Sequence, residues 1–539
     1  MRSFPSVIVQ PKIVSFLLYL LLIPGLALDF LVAESTKAAP SSTDDAHQVR
    51  GPNIIFMLTD DQGYGDFSVH GNPILKTPHL DRLHAESVRF TDFHVGPTCA
   101  PTRAALLTGC HEFKSGVTHT IMERERLALD KTTLPQILKS SGYATGIFGK
   151  WHLGDEAKYQ PNQRGFDEVF IHGGGGIGQT YPGSCGDAPG NSYFNPAILH
   201  NGKFEKTKGF CTDIFFNQAL QWIDSQRKSG KPFYAYLAPN APHGPYIAKP
   251  EDSARYSDKG LPAATQNFFG MIHNIDENVG KLMSRLKDWG IAENTLVVFM
   301  NDNGGTAGVK VYNAGMRGSK CTPYLGGTRA ASFWRWPGTL KPADCTAFTG
   351  HIDFFPTIVE ITKSKLSEQA MAQVEGRSLL PLLKNPTVKS EDRFMMTHTA
   401  RWPKLADPKK YKYKSAAVRN TRWAMVSEKG GSEPQWQLYD LSNDYSQKIN
   451  VIEQHPEVVQ QLADAFDRWW ADCLPKMINE KEMGPEINPF QKLYYAQFGG
   501  QPSEDDFKLM DPKGSLIFAT PEDKLNANIR SQREQAMEK

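Results

Sequence analysis

The stretch NIIFMLTDDQG, residues 53–63, decides the fold class: its unbroken apolar run predicts a buried strand that ends in two aspartates. The stretch TLVVFMNDNGG, residues 295–305, repeats this pattern and ends in an acid and an amide. Between them, strand-like runs alternate with helix-like segments such as residues 77–88. Alternation of this kind predicts an α/β fold, with a large, mainly parallel sheet flanked by helices.

The chain divides into five predicted regions. Arg2, Lys12 and an apolar run over residues 13–28 predict a signal peptide over 1–33, with an uncleaved N-terminal anchor as the alternative. A linker (34–50) and a catalytic domain (51–383) follow. Short strands and an amphipathic helix then predict a C-terminal subdomain (384–521) with a small antiparallel sheet, before a polar tail (522–539). We expect an exported protein, periplasmic or secreted.

Composition narrows the function classes. The 539 residues contain 60 Lys+Arg and 58 Asp+Glu, so any basic site is local and nucleic acid is not an expected partner. Seven cysteines in an exported chain permit disulfides, but an odd number leaves at least one unpaired, and we expect that one to be Cys99. Neither the disulfide connectivity nor the oligomeric state is indicated.

Oxygen-rich side chains end the two apolar strands: Asp60 and Asp61 after the first, Asp302 and Asn303 after the second. The carboxyl ends of parallel strands line one crevice, so these clusters can meet there. Oxygen ligands without His or Cys suit Ca²⁺, or Mg²⁺, better than zinc. For either cluster alone a helix or turn cap is the favoured interpretation, but the two together favour a metal site.

Three cationic residues lie on predicted loops, and two histidines lie just past strand-like runs. Singly, each is more often a solvated or structural side chain. Together at one sheet edge they predict a site for an oxyanion, with acid–base assistance. The residues are Arg103, Lys150, Lys320, His152 and His243.

The stretch CAPTRAALLTGC, residues 99–110, predicts a helix with Pro101 in its first turn and Gly109 at its end. Cys99 then lies at the helix N-terminus, which favours an anion. The alternatives are a buried cysteine, a disulfide with Cys110, or a thiolate nucleophile whose pKa this position lowers. A tyrosine-phosphatase-like loop is disfavoured, because it needs five residues between Cys and Arg and this chain has three.

This stretch resembles the signature of the sulfatase family, in which the cysteine is oxidised to Cα-formylglycine. The resemblance covers residues 53–440 and includes all the site residues above in order, followed by LYDLSND near Leu438. It implies an alkaline-phosphatase/sulfatase-like fold, a formylglycine-generating maturation enzyme as a partner, and Ca²⁺ (Mg²⁺ as alternative) held by Asp60, Asp61, Asp302, Asn303 and modified Cys99.

The resemblance also implies residue roles. One hydroxyl of hydrated residue 99 attacks sulfur, helped by Asp302, while Arg103, Lys150 and Lys320 stabilise charge or hold the diol. His243 protonates the leaving alcohol, aided by Lys320. His152 then deprotonates the second hydroxyl, and sulfate leaves by C–O cleavage.

The loop after Lys320 departs from the family pattern at two positions, and the roles of some other loop residues are not decided by the sequence. Cys321 replaces a usual glycine after Lys320, and Leu325 replaces an acidic residue, so the placement of Lys320 and the role of Arg329 are open. The glycines of residues 173–176 predict a flexible loop. Two aromatic residues nearby are either sugar or aryl platforms or loop packing: Tyr181 and Tyr193.

The expected function is hydrolysis of a sulfate ester, with a sulfated small molecule or glycan, carbohydrate or aryl, as the substrate. One alternative is a phosphonate or phosphate ester hydrolase of the same superfamily. The other is a catalytically silent protein that binds sulfated glycans.

Overall fold

The computed structural model describes residues 51–181, 183–485 and 487–501. The predicted signal peptide, linker and polar tail lie outside these residues. Within the described ranges, no helix combines the length and apolarity needed to cross a membrane.

Twelve α-helices and sixteen strands are found in the described residues. The strands are β1 (Asn53–Thr59), β2 (Val88–Phe90), β3 (Phe93–His94), β4 (Ala144–Lys150), β5 (Glu168–His172), β6 (Ala197–His200), β7 (Lys203–Lys206), β8 (Phe233–Ala238), β9 (Thr295–Asn301), β10 (Ser332–Arg335), β11 (Ala343–Cys345), β12 (Thr349–Gly350), β13 (Met395–His398), β14 (Lys414–Arg419), β15 (Trp423–Lys429) and β16 (Gln437–Asp440). The helices are α1 (Pro78–Ala85), α2 (Cys99–Thr108), α3 (Leu134–Ser140), α4 (Cys211–Ser229), α5 (Pro250–Ala254), α6 (Ala263–Asp288), α7 (Leu325–Thr328), α8 (Phe354–Thr362), α9 (Glu368–Gln373), α10 (Leu380–Lys384), α11 (Pro456–Cys473) and α12 (Pro489–Phe498).

A ten-stranded sheet has the order β11-β2-β10-β9-β1-β8-β4-β5-β6-β7. Its centre is parallel, since β1 pairs in parallel with both β8 and β9, and β4 pairs in parallel with β8 and β5. Antiparallel pairs occur toward both edges. The prediction of an α/β fold with a large, mainly parallel sheet is confirmed.

The strand β1 is apolar throughout because helices cover both faces of the sheet. Phe56 packs in one core cluster with residues of α2, α3 and α8. Its neighbour Met57 points to the other face and packs with residues of α1, α4 and α6. Strand alternation thus places consecutive residues of β1 in two separate cores.

A second, antiparallel sheet has the order β13-β14-β15-β16, as predicted. The amphipathic helix α11 packs on it, with Leu462 and Phe466 in one cluster with Val418 and Leu438. Phe113, which follows α2, belongs to the same cluster, so this sheet also contacts the segment after α2.

The helix α12 covers the edge strand β7 of the large sheet. The Gln497 side-chain amide donates to the Phe204 carbonyl at 2.6 Å and accepts from the Phe204 N–H at 2.8 Å. This contact satisfies backbone groups that an edge strand otherwise exposes. This helix lies within the predicted C-terminal subdomain (384–521) and packs on the large sheet.

Candidate active site

The two acidic clusters lie side by side because β1 and β9 are adjacent parallel strands that end together, with Thr59 opposite Asn301. The Asp61 N–H donates to Asp302 Oδ1 at 3.2 Å, and Asn303 Nδ2 donates to Asp61 Oδ1 at 3.0 Å. Asp60, Asp61, Asp302 and Asn303 are all buried. The predicted meeting of the clusters is therefore present.

This oxygen cluster fits a hard cation. Asp60 Oδ1 and Asn303 Oδ1 are buried and have no hydrogen-bond partner among the described residues. Asp60, Asp302 and Cys99 each offer one potential ligand atom, and these three atoms lie within 4.8 Å of one another. Unpaired buried oxygens are costly, and a cation with oxygen ligands would satisfy them.

Each of the three carboxylates has a cationic partner. Lys150 Nζ lies 2.6 Å from Asp60 Oδ2, Lys320 Nζ lies 2.5 Å from Asp61 Oδ1, and an Arg103 guanidinium nitrogen lies 2.7 Å from Asp302 Oδ2. The predicted cations thus lie at the acidic cluster. Burial, together with the charge of Asp60, raises the pKa of Asp302 to about 6, although Arg103 opposes this shift.

Cys99 is the first residue of α2, which ends at Gly109 in the left-handed conformation (φ 71°). Pro101 lies in the first turn, where a backbone N–H is not needed. Cys99 is 2% exposed. Burial raises the pKa of its thiol, although Lys150 and Lys320 oppose this. A raised pKa opposes the alternative of a thiolate nucleophile, because desolvation of the thiolate outweighs the nearby positive charges.

His152 lies directly beside residue 99. Its Nε2–H donates to the Thr120 carbonyl at 2.7 Å, which leaves Nδ1 as an acceptor 3.6 Å from Cys99 Sγ. Burial lowers the pKa of His152 well below its ordinary value, so the ring is a neutral base. Its left-handed backbone (φ 59°) is the kind of strain found at functional sites.

His243 lies beside Asp61 of the acidic cluster. Its Nδ1–H donates to the Gly244 carbonyl at 2.7 Å, and Nε2 lies 3.6 Å from Asp61 Oδ2. Burial lowers the pKa of His243 to about 3, despite the nearby charge of Asp61. Nε2 therefore carries no proton in the free protein.

The loop after Lys320 tolerates its unusual residues. Cys321 adopts the left-handed conformation (φ 67°) that glycine takes most easily. Leu325 is buried among apolar residues, including Met316 and Tyr324. Arg329 stacks 3.9 Å over the Tyr64 ring and donates to the Thr91 carbonyl, so it supports packing.

The contribution of the glycine loop to the site was not predicted from the sequence. Residues 173–176 are buried, whereas the glycine content alone predicted a flexible loop. A Cβ at Gly176 would lie 2.6 Å from His243 Nδ1, so glycine permits close backbone approach. Cys185 was also missed: its Sγ accepts from the Gly175 N–H at 2.9 Å and lies 3.5 Å from His152 Nε2. The run of four glycines was the available signal.

The aromatic residues and cysteines resolve two open alternatives. Tyr193 is fully buried and donates to the His243 carbonyl at 2.6 Å, and Tyr181 is 6% exposed. Both therefore fit loop packing and not a platform. All seven cysteines lie in the described residues and none forms a disulfide, including Cys99 and Cys110.

The sequence is similar to those of known sulfatases. The sequence is 29% identical over 521 residues to the N-acetylgalactosamine-6-O-sulfatase of Bacteroides thetaiotaomicron, covering 83% of this chain and 97% of that protein. It is 32% identical over 330 residues to mouse arylsulfatase J, covering 60% of this chain and 54% of that protein. The chain thus spans about half the length of the mouse relative.

Solved structures share the fold. The crystal structure of Ps i-CgsB in complex with k-i-k-neocarrahexaose has a TM-score of 0.68 and 27% identity, covering 85% of this chain and 100% of that one. The phosphonate monoester hydrolase of Agrobacterium radiobacter, at 19% identity and a TM-score of 0.54, shares the fold alone. The sequence model of the family described as Sulfatase matches residues 52–364. The chain therefore belongs to the sulfatase family.

Proposed function

We propose that the protein hydrolyses a sulfate ester of a sugar, with modified residue 99 as the nucleophile. The observation that carries this proposal is the position of Cys99 Sγ, within 4.8 Å of Asp60 and Asp302 oxygens and 3.6 Å from His152 Nδ1. Residue 99 thus lies between the oxygen-rich cluster and a neutral base. Formylglycine at this position supplies the diol that the family chemistry needs.

The proposed metal is Ca²⁺, with Mg²⁺ as the alternative. Asp60, Asp61, Asp302 and Asn303 would hold it, together with the modified side chain of residue 99. When bound, the ion supplies Lewis-acid stabilisation of the developing negative charge. The unpaired Asp60 Oδ1 and Asn303 Oδ1 support this assignment.

The protein's own residues provide positioning and proton transfer. His152, held by the Thr120 carbonyl through Nε2, presents Nδ1 to accept a proton from residue 99. His243 presents Nε2 toward Asp61. The negative charge of a bound sulfate group favours its protonated form, which donates to the departing alcohol with help from Lys320.

A sugar substrate is supported by the printed names of relatives at 27–32% identity, which include N-acetylgalactosamine-6-sulfatases and a protein solved with a neocarrahexaose. The segment after β13 also reaches the site. The Thr399 hydroxyl donates to the Cys321 carbonyl at 3.3 Å, and Arg401 donates to the Thr120 hydroxyl at 3.3 Å. Residues 399–401 therefore contact the segments next to Lys320 and His152.

Mass spectrometry of the peptide that contains residue 99, from protein made in its native host, tests the modification. A mass about 18 Da below that of cysteine supports formylglycine, since the two differ by that oxidation. An unmodified thiol would contradict the proposal. The proposal includes a separate maturation enzyme, because the modification is made by another protein. It also includes export of the protein.

Hydrolysis assays test the reaction. We expect turnover of 4-nitrophenyl sulfate and faster turnover of a sugar sulfate, and a preference for phenyl phosphonate would favour the phosphonate-hydrolase alternative. Cys99→Ala should abolish turnover with little change in stability. Cys110→Ala is the matched control, since it removes a buried thiol just beyond the other end of α2. Turnover that survives in Cys99→Ala would refute the nucleophile, and no turnover of any ester would favour the silent glycan-binding protein.

A further inference from the structure

A second group of metal-ligating side chains lies where α1 packs on α6, and none of them belongs to the candidate active site. His79, Asp276 and Glu277 each offer one ligand atom, and these three atoms lie within 4.8 Å of one another. His79 Nε2 lies 3.8 Å from Glu277 Oε1. Imidazole and carboxylate together suit zinc and related transition metals, whereas the all-oxygen cluster of the active site suits Ca²⁺.

The first turn of α1 holds His79 against α6. Asp276 accepts hydrogen bonds from the backbone N–H of His79 at 3.2 Å and of Leu80 at 2.7 Å. Gly280 lies one turn after Asp276 on α6, and a Cβ there would lie 2.5 Å from His79 Nδ1. Glycine therefore lets the imidazole lie directly on the helix, with Nε2 near Glu277. The Asp276 oxygens keep further lone pairs for a cation.

His273 presents a second imidazole to this group. It lies one turn before Glu277 on α6, and its Nε2 is 4.0 Å from the same Glu277 Oε1. The His273 side chain is 9% exposed, and Nε2 is buried with no hydrogen-bond partner among the described residues. Burial, together with the charge of Arg255, lowers the pKa of His273, so the ring is neutral and has one nitrogen lone pair. A buried polar nitrogen of this kind needs a partner.

The spacing of the ligand atoms is close to that of a zinc site. Metal–ligand bonds of about 2.1 Å place the ligand atoms of a tetrahedral site roughly 3.4 Å apart. His79 Nε2 and Glu277 Oε1 are 3.8 Å apart, and their side chains are 42% and 45% exposed. Small rotations of these two side chains therefore close the group on an ion.

The charges around this group favour a cation. In the part of the chain that the structure describes, neither Asp276 nor Glu277 forms an ion pair with a lysine or arginine, and the ionic partners of Glu277 are the two histidines. Lys249 and Arg255 are the cations near His273, and Lys249 already pairs with two other acids. Burial raises the pKa of Asp276 to about 6, and a bound cation would offset this penalty.

We propose that His79, Asp276 and Glu277 bind a divalent transition-metal ion, with zinc as the expected ion. A water completes the coordination, and His273 Nε2 accepts a hydrogen bond from it. The ion joins α1 to α6, which pack in one core cluster on the same face of the large sheet. It stabilises the protein because it binds the folded state. The inference does not depend on the sulfatase reaction.

Isothermal titration calorimetry with Zn²⁺ tests the proposal, with Ca²⁺ in excess to fill the oxygen cluster of the active site. We expect one zinc ion per chain, and binding that weakens by about tenfold or more in His79→Gln and in Glu277→Gln, since each removes a ligand. Gly280→Ala should weaken binding by a smaller factor, because the added methyl group displaces the imidazole. Glu457→Gln is the matched control and should bind normally. Glu457 also lies 3.8 Å from an imidazole, that of His455, but the two join no group of three ligands among the described residues.

X-ray absorption of the zinc-loaded protein identifies the ligands. Nitrogen and oxygen at about 2.1 Å, with the outer-shell scattering of imidazole, are expected, whereas sulfur at about 2.3 Å would put the ion on a cysteine and overturn the proposal. Absence of zinc binding, or unchanged affinity in both ligand variants, also overturns it. Both replaced side chains are more than 40% exposed, so the variants should fold.

Hydrolysis of 4-nitrophenyl sulfate by both ligand variants should match that of the wild type, which separates this test from that of the active site. A loss of hydrolysis that accompanies the loss of zinc would assign the ion to the reaction and overturn a separate site. If the protein hydrolyses no sulfate ester at all, the proposed function fails, while the zinc titration still decides this proposal.

Discussion

Replacing Arg103 by methionine should destabilise the protein far more than a surface arginine substitution does. Arg103 and Asp302 are both fully buried, and their closest nitrogen and oxygen lie 2.7 Å apart. Removing one member of a buried ion pair leaves an uncompensated charge and costs about 3–5 kcal/mol. We expect Arg103→Met to lower the free energy of unfolding by this amount, measured by urea unfolding with EDTA present so that no metal replaces the lost charge.

Two controls isolate the buried charge as the cause. Arg422→Met breaks a pair of similar length, 2.8 Å to Asp440, but the Arg422 side chain is 55% exposed, so the loss should stay below about 1 kcal/mol. Asp302→Asn introduced into Arg103→Met should recover about 1–3 kcal/mol. The deficit should also shrink as the pH falls, since burial already places the pKa of Asp302 at about 6 and protonation removes the charge. Equal losses at Arg103 and Arg422, or no recovery, would refute the reasoning.

Three further predictions concern pH, backbone strain and metal. Burial raises the pKa of Asp187 from 3.8 to about 7, so the folded state binds more protons and the wild type should lose up to about 1.4 kcal/mol of stability per pH unit between these values. Asp187→Asn should remove this part of the loss, and identical pH profiles in urea unfolding would contradict it. Because Cys321 has φ 67°, Cys321→Val should cost about 1–2 kcal/mol while Cys321→Gly stays within about 1 kcal/mol of the wild type; thermal unfolding compares them, and equal losses would exclude strain. EDTA should abolish ester hydrolysis, with Ca²⁺ restoring it better than Zn²⁺, and a better recovery with Zn²⁺ would oppose an oxygen-ligand site.

The elements that sequence patterns predicted best are those whose signal is local. The apolar run of β1 and the Pro101 and Gly109 limits of α2 depend on residues close in the chain, and both match the structure. The meeting of Asp61 and Asp302, 241 residues apart, was also predicted. It follows from a general rule, since parallel strands in one sheet end at the same edge.

The features that the sequence did not indicate involve burial, which local patterns do not report. The pKa of Cys99 rises because the surrounding chain removes water from the thiol, although the helix N-terminus alone would lower it. The glycines of residues 173–176 indicated flexibility by composition, but they allow backbone to pack against His243. The helix α12 packs on β7, a contact that no nearby sequence signal indicates.

The sequence by itself determined the α/β class, the helix that carries residue 99 and the residue types that meet at the strand ends, because periodicity and side-chain chemistry are properties of the chain. Tertiary structure alone decided which atoms pair: Lys150 with Asp60, and His152 with both Cys99 and Thr120. Pairing and desolvation depend on packing between distant segments, and those contacts exist only once the chain has folded.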